Sequence, residues 1–587
     1  MPAVRPPTLD GEYDLYPAFP LPSARVLLGF DALAEQLAPH PLITIDGSMG
    51  VFWEHFRAQL DEALERRGVR AVWTDIAQAL KPVPEISRLV APFLGDDDPL
   101  FGTRFTGTLG DFFDPERLRT VQPHPGAAHH IVYGTGAALA GWAGHLVYVD
   151  LPRNELQFRA RAGAATNLGA NAPAGFKPMY KRFYFIDRVA LDAHKARLLP
   201  ALNLLVDGQR PDEPAMISGA DLRAGLGRMS RSCFRARPWF EPGAWGGNWI
   251  KQHVPALPQE APNYAWSFEL ITPENGLLFE SDNALIECSF DFLMAHSSRA
   301  VLGDCADVFG LEFPIRFDFL DTWEGGNLSV QCHPGPDYIR RHFGERFTQD
   351  ETYYLLDCQP DALVGLGFRE DIDPAAFRQA LEHSHATSTP LDMRDYLHFE
   401  PAHKHDLFLI PHGTVHCAGQ GSLVLEISAT PYIFTFKMYD WMRADLDGRP
   451  RPLNIERAFA NLRFDRKGAQ IQRELVSRPV RLAQGSDWQL VHLPTHADHF
   501  YDVHRFEFST SVTAETQGSC HILSLVEGQS VQLQTTEGFS QRFSFAETFV
   551  VPAAAGGYTL TNLGRSPAKV VKAFVKAGYP FDVARPH

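Results

Sequence analysis

LSVQCHPGPDY (residues 328–338), DETYYLLD (350–357) and LIPHGTVHCAG (409–419) are short apolar runs broken by Gly, Pro and Asp, and each carries a metal-ligand side chain. Gln331 and His333 are two residues apart, so on a strand both project from one face of the sheet. The turn-forming segment GPDYIRRHFGER separates His333 from Glu351, 18 residues on, which lets TYYLLD return as a strand beside the first. His416 stands on the third run. Two imidazoles, a carboxylate and an amide oxygen suit zinc, and a site with three firm ligands keeps a position open for water or substrate. The reading is a β-strand fold with one zinc per chain, held by Gln331, His333, Glu351 and His416.

Working outward, strands dominate from residue 235 onward: SFELITP, ALIECSFDFL, ALVGLGF, LVLEIS and FTFKMYDW, with turns rich in Gly, Pro and Asp, as in a jelly-roll sandwich. One helical insertion is expected at about 370–400. There Asp373 is placed to cap, Pro374 takes the first helical position, and Phe377 and Leu381 share a face. Beyond 485, CHILSLVEG, SVQLQTT, QRFSF, ETFVVPA, GYTLTN and AKVVKAFV are short strands at near-regular spacing. In that part His521 reads as a lone histidine, so packing without a metal is expected.

The motifs LSVQCHPGPDY, DETYYLLD, IPHGTVHCAG, LVLEIS and FKMYDWMR, with WGGNW at 245–249, resemble in order and approximate spacing the class I mannose-6-phosphate isomerases, which are zinc-dependent cupins. The resemblance covers roughly residues 235–587. It implies a cupin fold, a sugar-phosphate substrate and aldose–ketose isomerisation, most readily of mannose 6-phosphate to fructose 6-phosphate through an enediolate. Glu426 aligns with an active-site glutamate of that family, which makes it the proton-transfer candidate. Lys437 stands where the family usually has arginine; it keeps the positive charge but not the bidentate fork. The family also carries a lysine two residues before the metal-binding glutamate. Here that context reads Thr348-Gln349-Asp350-Glu351, leaving Arg340, Arg341, Arg346, Lys404 or Arg443 as substitutes.

The first third reads differently. PLITIDGSMGVFWEHFRAQLDEALERRG (41–68) is a strand, a Gly-containing turn and a helix whose Phe52, Phe56, Leu60 and Leu64 form one apolar face. VRAVWTD, HHIVYGT and HLVYVDL continue an alternation of strands and helices, the signature of a doubly wound sheet. The unit resembles a P-loop kinase of the uridine-kinase type. In that family the turn ends in Gly-Lys-Ser/Thr, with lysine on the phosphates and hydroxyl on magnesium. Phe52, Trp53 and Glu54 occupy those positions, so the resemblance is to a degenerate P-loop. Asp46, Asp75, Asp150, Arg159 and Arg161 are candidate remnants of its metal- and phosphate-binding set.

The expected organisation is therefore multidomain: an N-terminal α/β P-loop-like doubly wound domain (1–220), a catalytic cupin with helical insertion (235–480) and a C-terminal cupin-like β domain (485–587). At 587 residues there is chain for about four domains. A net charge of −16 and the lack of Lys/Arg blocks argue against nucleic acid or anionic membrane as partners. Seven cysteines without a CxxC pair read as reduced thiols. With no basic, apolar leader and no run near the roughly 18 apolar residues of a membrane span, the expected location is the cytoplasm. Two rival readings share the sequence: an isomerase of another sugar, and a non-catalytic metal- or sugar-binding cupin with a pseudokinase-like regulatory domain.

Overall fold

The structure, a computed structural model, describes residues 1–581 except 22, 96–97, 273, 430–433 and 447. The chain forms two compact units. Unit 1 comprises Met1–Pro7, Tyr16–Met229 and Pro273–Ser297; unit 2 comprises Thr8–Leu15, Ser230–Thr272 and Ser298–His587.

Unit 1 is built on a seven-stranded sheet. Its five parallel members are β1 (Leu42–Gly47), β2 (Ala71–Asp75), β3 (His129–Tyr133), β4 (His145–Asp150) and β5 (Leu204–Asp207), in spatial order β5-β4-β1-β3-β2. Ala215–Ser218 and Leu27–Leu28 extend the β5 edge in antiparallel fashion. Helix α1 (Trp53–Arg66) follows β1 and buries Phe56, Leu60, Ala63 and Leu64 against Ile43, Ile45, Ile131 and Val147 of the sheet. The i, i+4 spacing of those side chains places them on one helix face, so a single stripe supplies the contact. The hairpin Gly276–Ser281/Ala284–Ser289 forms a further small sheet in this unit with Ala18–Pro20.

Unit 2 holds two antiparallel sandwiches. In the first, a six-stranded sheet contains β6 (Ile315–Asp321), β8 (Asp350–Cys358), β9 (Leu407–Ile410) and β11 (Ser422–Ala429) in the order β9-β8-β11-β6, continued by Trp266–Leu270 and Trp239–Glu241. The facing five-stranded sheet contains β7 (Val330–Cys332), β10 (His416–Ala418) and β12 (Phe436–Tyr439) beside Leu363–Phe368 and Leu397–Pro401. Between them lies a core that includes Leu320, Tyr353, Leu355 and Val424 from one sheet and Val364, Leu366 and Ala418 from the other. Helix α2 (Pro374–Thr387) is inserted as its sequence predicts: Asp373 caps it by accepting from the Ala375 and Ala376 amides, and Phe377 and Leu381 are buried.

The second sandwich pairs a six-stranded sheet, with β13 (Trp488–Leu493), β14 (Tyr501–Phe508), β15 (His521–Glu527) and β16 (Ala568–Val575), against a four-stranded one. Its core includes Phe506, Phe508, Leu523, Leu525 and Val570 facing Val531, Leu533, Phe543 and Leu560.

Candidate metal centre

In the first sandwich the core rows run from apolar to polar along each strand. Side chains on a strand alternate faces. On β8, Tyr353 and Leu355 lie in the core, which puts Glu351 on the same interior face; on β11, Val424 does this for Glu426; on β6, Leu320 does it for Asp318 and Arg316; on β10, Ala418 does it for His416. His333 follows directly on β7, whose Gln331 is the cross-strand partner of His416.

The ligand atoms of His333, Glu351 and His416 lie within 4.8 Å of one another, and all three side chains are buried. His416 Nε2 is 2.8 Å and His333 Nε2 3.1 Å from Glu351 Oε1. Yet His333 Nε2 and Glu351 Oε1 have no hydrogen-bond partner of acceptable geometry among the described residues. Buried polar atoms are ordinarily paired, so two that converge unpaired fit a cation between them. Burial pushes the Glu351 carboxyl up, but the His333 and His416 imidazoles override this and hold it well below the usual carboxylate range. The residues present therefore fit a divalent cation with nitrogen and oxygen donors.

The surroundings aim the donors. His333 Nδ1 donates to the Phe434 carbonyl and His416 Nδ1 to the Thr414 carbonyl, each at 3.0 Å, which leaves both Nε2 atoms directed inward. Gln349 donates to Glu351 Oε2 at 3.2 Å and accepts from the Phe434 amide at 2.9 Å. It occupies the position where the isomerase pattern has lysine and acts here as a neutral brace. Ser329 holds one end of the Gln331 amide at 2.9 Å, and the other end is 3.3 Å from His416 Nε2. Because the two ends of an amide are assigned from their partners, rotating it turns the oxygen toward the imidazole.

Glu426 is buried beside this cluster, and its carboxyl is raised by burial and by the Glu351 carboxylate. Arg316 Nη2 reaches Glu426 Oε1 at 2.7 Å, and Arg316 Nε donates to Ser428 Oγ at 2.6 Å. Asp318, directly across the ladder from Glu426, is pushed well above the usual carboxylate range by burial and by Glu426, and its Oδ1 is buried without a hydrogen-bond partner among the described residues. Lys437 lies on β12 as the register partner of Gln331 and is half-buried.

The cations nominated from sequence have other engagements. Lys404 is 3.7 Å from Glu527, Arg443 is bonded to Asp440 and the Asn327 carbonyl, Arg346 reaches the Val308 carbonyl, Arg340 lies 3.7 Å from Asp337, and Arg341 is exposed. The guanidinium at Glu426 is Arg316, which motif reading passes over. Its signal is present in IRFDFLD: two charged residues on one face of a strand whose other face is Ile315, Phe317 and Phe319. Arg466, also unmarked in the sequence, braces the turn before His416 through the Pro411 and His412 carbonyls and Thr414 Oγ1.

The candidate remnants in unit 1 are satisfied internally. Asp46 accepts from the Gly47, Gly136 and Ala138 amides and lies 2.8 Å from His194 Nε2. Asp150 takes Ser48 Oγ, the Ser289 amide and hydroxyl, and Lys195. Asp75 caps a short helix at Ala77. Arg161 lies over Phe176. Arg159 donates to the Gly50 and Gly208 carbonyls and stacks 4.2 Å over the Phe52 ring, while Trp53 Nε1 donates to Thr135 Oγ1.

Residues 29–231 match a family model described as a domain of unknown function, DUF8485. The chain is also similar to mannose-6-phosphate isomerases. It is 26% identical over 223 residues to mannose-6-phosphate isomerase ManA of Bacillus subtilis, covering 38% of this chain and 65% of that protein. The chain thus spans under two thirds of that relative. It is also 26% identical over 288 residues to mannose-6-phosphate isomerase of Streptococcus mutans, covering 49% of this chain and 82% of that protein. Among solved structures, the mannose 6-phosphate isomerase from Bacillus subtilis superimposes with a TM-score of 0.46 at 17% identity, over 58% of this chain and 99% of that one. No helix among the described residues is long and apolar enough to cross a membrane.

Proposed function

We propose that unit 2 is a zinc-dependent aldose–ketose isomerase of a sugar phosphate, with mannose 6-phosphate and fructose 6-phosphate as the first pair to test. The observation that carries this is the convergence of His333, Glu351 and His416, with His333 Nε2 and Glu351 Oε1 unpaired among the described residues, beside the buried Glu426. Similarity to mannose-6-phosphate isomerases supports the substrate class. Gln331, His333, Glu351 and His416 would hold the cation, which supplies Lewis-acid polarisation of the sugar's oxygens when bound.

The reaction removes the proton on C2 of the open-chain aldose and returns a proton to C1, passing through an enediolate. Glu426 is the proton carrier in this reading. A carboxyl raised by burial suits a group that must both take and give a proton near neutrality. Arg316 fixes its orientation through a charge-assisted hydrogen bond and keeps it oriented when ionised. Lys437 offers positive charge to substrate oxygen.

For unit 1 we propose a degenerate P-loop domain without kinase activity, in a cytoplasmic protein. The strand order, second-third-first-fourth-fifth among the parallel members, supports the likeness, and the loop filled by Phe52, Trp53 and Arg159 argues against a nucleotide.

The test is conversion of mannose 6-phosphate to fructose 6-phosphate by the zinc-loaded protein, with His333→Ala and His416→Ala beside it. Loss of either imidazole is expected to lower kcat/KM by at least about 10³-fold, several kcal/mol of transition-state stabilisation. If the native protein binds zinc at this centre and turns over none of a panel of aldose phosphates, the isomerase reading fails and a binding role takes its place.

A further inference from the structure

The second sandwich repeats the interior pattern of the first at a place where sequence reading expects packing alone. On β14 the core residues Phe506 and Phe508 put His504 and Asp502 on the interior face; on β13, Leu490 and Trp488 do the same for His492; on β16, Val570 does so for Lys572. His492 and His504 are direct cross-strand partners, and Asp502 precedes His504 by two residues. One carboxylate and two imidazoles thus meet at the polar end of the β13–β14 pair.

We infer that His492, Asp502 and His504 form a second divalent-cation site, separate from the centre at His333, Glu351 and His416. The donor atoms of the three side chains lie within 4.8 Å of one another. His492 Nε2 is 2.9 Å and 3.1 Å from the two Asp502 oxygens. His504 Nδ1 is buried and has no hydrogen-bond partner among the described residues, so one imidazole face is left without a donor or acceptor. Asp502 Oδ1 is additionally held by the Val503 amide at 3.0 Å and Thr495 Oγ1 at 3.3 Å, which fixes the carboxylate.

Two imidazoles and a carboxylate on one side leave the other side of a cation open, the donor set of zinc, manganese or iron(II) sites that bind an external ligand. The side chains of His492 and Asp502 are 27% and 17% exposed, so an ion and its further ligand have access from solvent. Lys572 is the ladder partner of His504 on the same face, and its ammonium favours an anionic oxygen donor in the open position. His521 is not part of the set: its Nδ1 is 2.9 Å from Tyr558 Oη, and the Phe574 ring packs against both it and His504.

The test is zinc stoichiometry of the full chain, stripped by chelator and titrated with Zn²⁺ alone, read by calorimetry and by metal content after gel filtration. Two equivalents are expected for the native protein, one for a His492→Ala/His504→Ala variant, and one for a His333→Ala/His416→Ala variant. Co²⁺ substitution in the latter should still give a visible d–d band, absent when His504 is also replaced. Asp502→Asn, a nearly isosteric change, should weaken the second equivalent at least tenfold with unchanged circular dichroism. The inference is overturned if the native chain binds one equivalent that the His333/His416 pair alone controls, or if the second equivalent survives loss of His492 and His504. It stands independently of turnover, because the two paired variants report on the two centres separately.

Discussion

The loop after β1 in unit 1 and the interior of the first sandwich in unit 2 are both concentrations of buried polar groups, and they are finished in opposite ways. In the loop every candidate group has found a partner within the protein. Arg159 takes the Gly50 and Gly208 carbonyls, Trp53 takes Thr135, and Asp46 takes three amides and an imidazole. In the sandwich His333 Nε2, Glu351 Oε1 and Asp318 Oδ1 have no hydrogen-bond partner among the described residues. A satisfied polar cluster rigidifies a fold, whereas an unsatisfied one is costly unless a ligand completes it. The difference teaches where to look for chemistry: residue types alone mark both places, and the pairing of their atoms separates them.

Arg316 offers the strongest way to sharpen this contrast. Replacing it by Met removes a cation bonded to Glu426 and leaves two neighbouring carboxyls buried. The expected cost is about 3–5 kcal/mol in unfolding free energy. A fall of about 10²–10³-fold in kcat/KM should accompany it. Arg316→Lys should recover part of both, and denaturant midpoints measured beside the kinetics separate the two effects. A Met variant with native stability and native turnover would remove Arg316 from the site.

His499 asks whether an unpaired buried atom is enough by itself. Neither of its ring nitrogens has a partner among the described residues, and the ring stacks 5.2 Å from Tyr501. Burial lowers its pKa from 6.5 to about 3. Between those values the unfolded chain binds a proton that the native chain refuses, so stability falls as pH falls, by about 1.4 kcal/mol per pH unit for this one group. In His499→Phe that share of the slope between pH 6.5 and 3 should vanish while zinc stoichiometry stays unchanged. A lost equivalent of zinc would instead make His499 a ligand.

The smallest effect is expected in unit 1. Millimolar ATP with magnesium should leave the melting temperature of the full chain unmoved, because binding to the native state is what raises it. Trp53→Lys should not restore binding, since Phe52 and Arg159 still occupy the loop. A shift of several degrees in the native protein would break the contrast between a closed loop and an open centre.

TYYLLD, expected to return beside the strand of Gln331, instead pairs with β9 and β11 in the facing sheet, but the convergence of His333, Glu351 and His416 was legible because each stands in a locally patterned segment. Helix α2 was legible for the same reason, its cap and first turn being adjacent in sequence. Arg316 and Asp318 were not, although they stand in a plain alternating strand, because their meaning comes from the β6–β11 register that sets Asp318 opposite Glu426. His492, Asp502 and His504 were missed likewise, since nothing within either strand announces that His492 faces His504. Gln349 was read as the loss of a lysine. Its role as a brace needs the Phe434 amide, 85 residues away.

The path of the chain has a consequence for anyone dividing this gene. The boundary expected between residues 220 and 235 invites a cut there, but unit 1 also needs Pro273–Ser297. Two of its fully buried carboxylates depend on that return: Asp150 accepts from the Ser289 amide at 2.7 Å and Asp207 from the Glu287 amide at 3.0 Å. A fragment ending at 230 would leave both without those donors, and a fragment starting there would carry an orphaned hairpin. The two units are thus not beads that recombination could exchange one at a time.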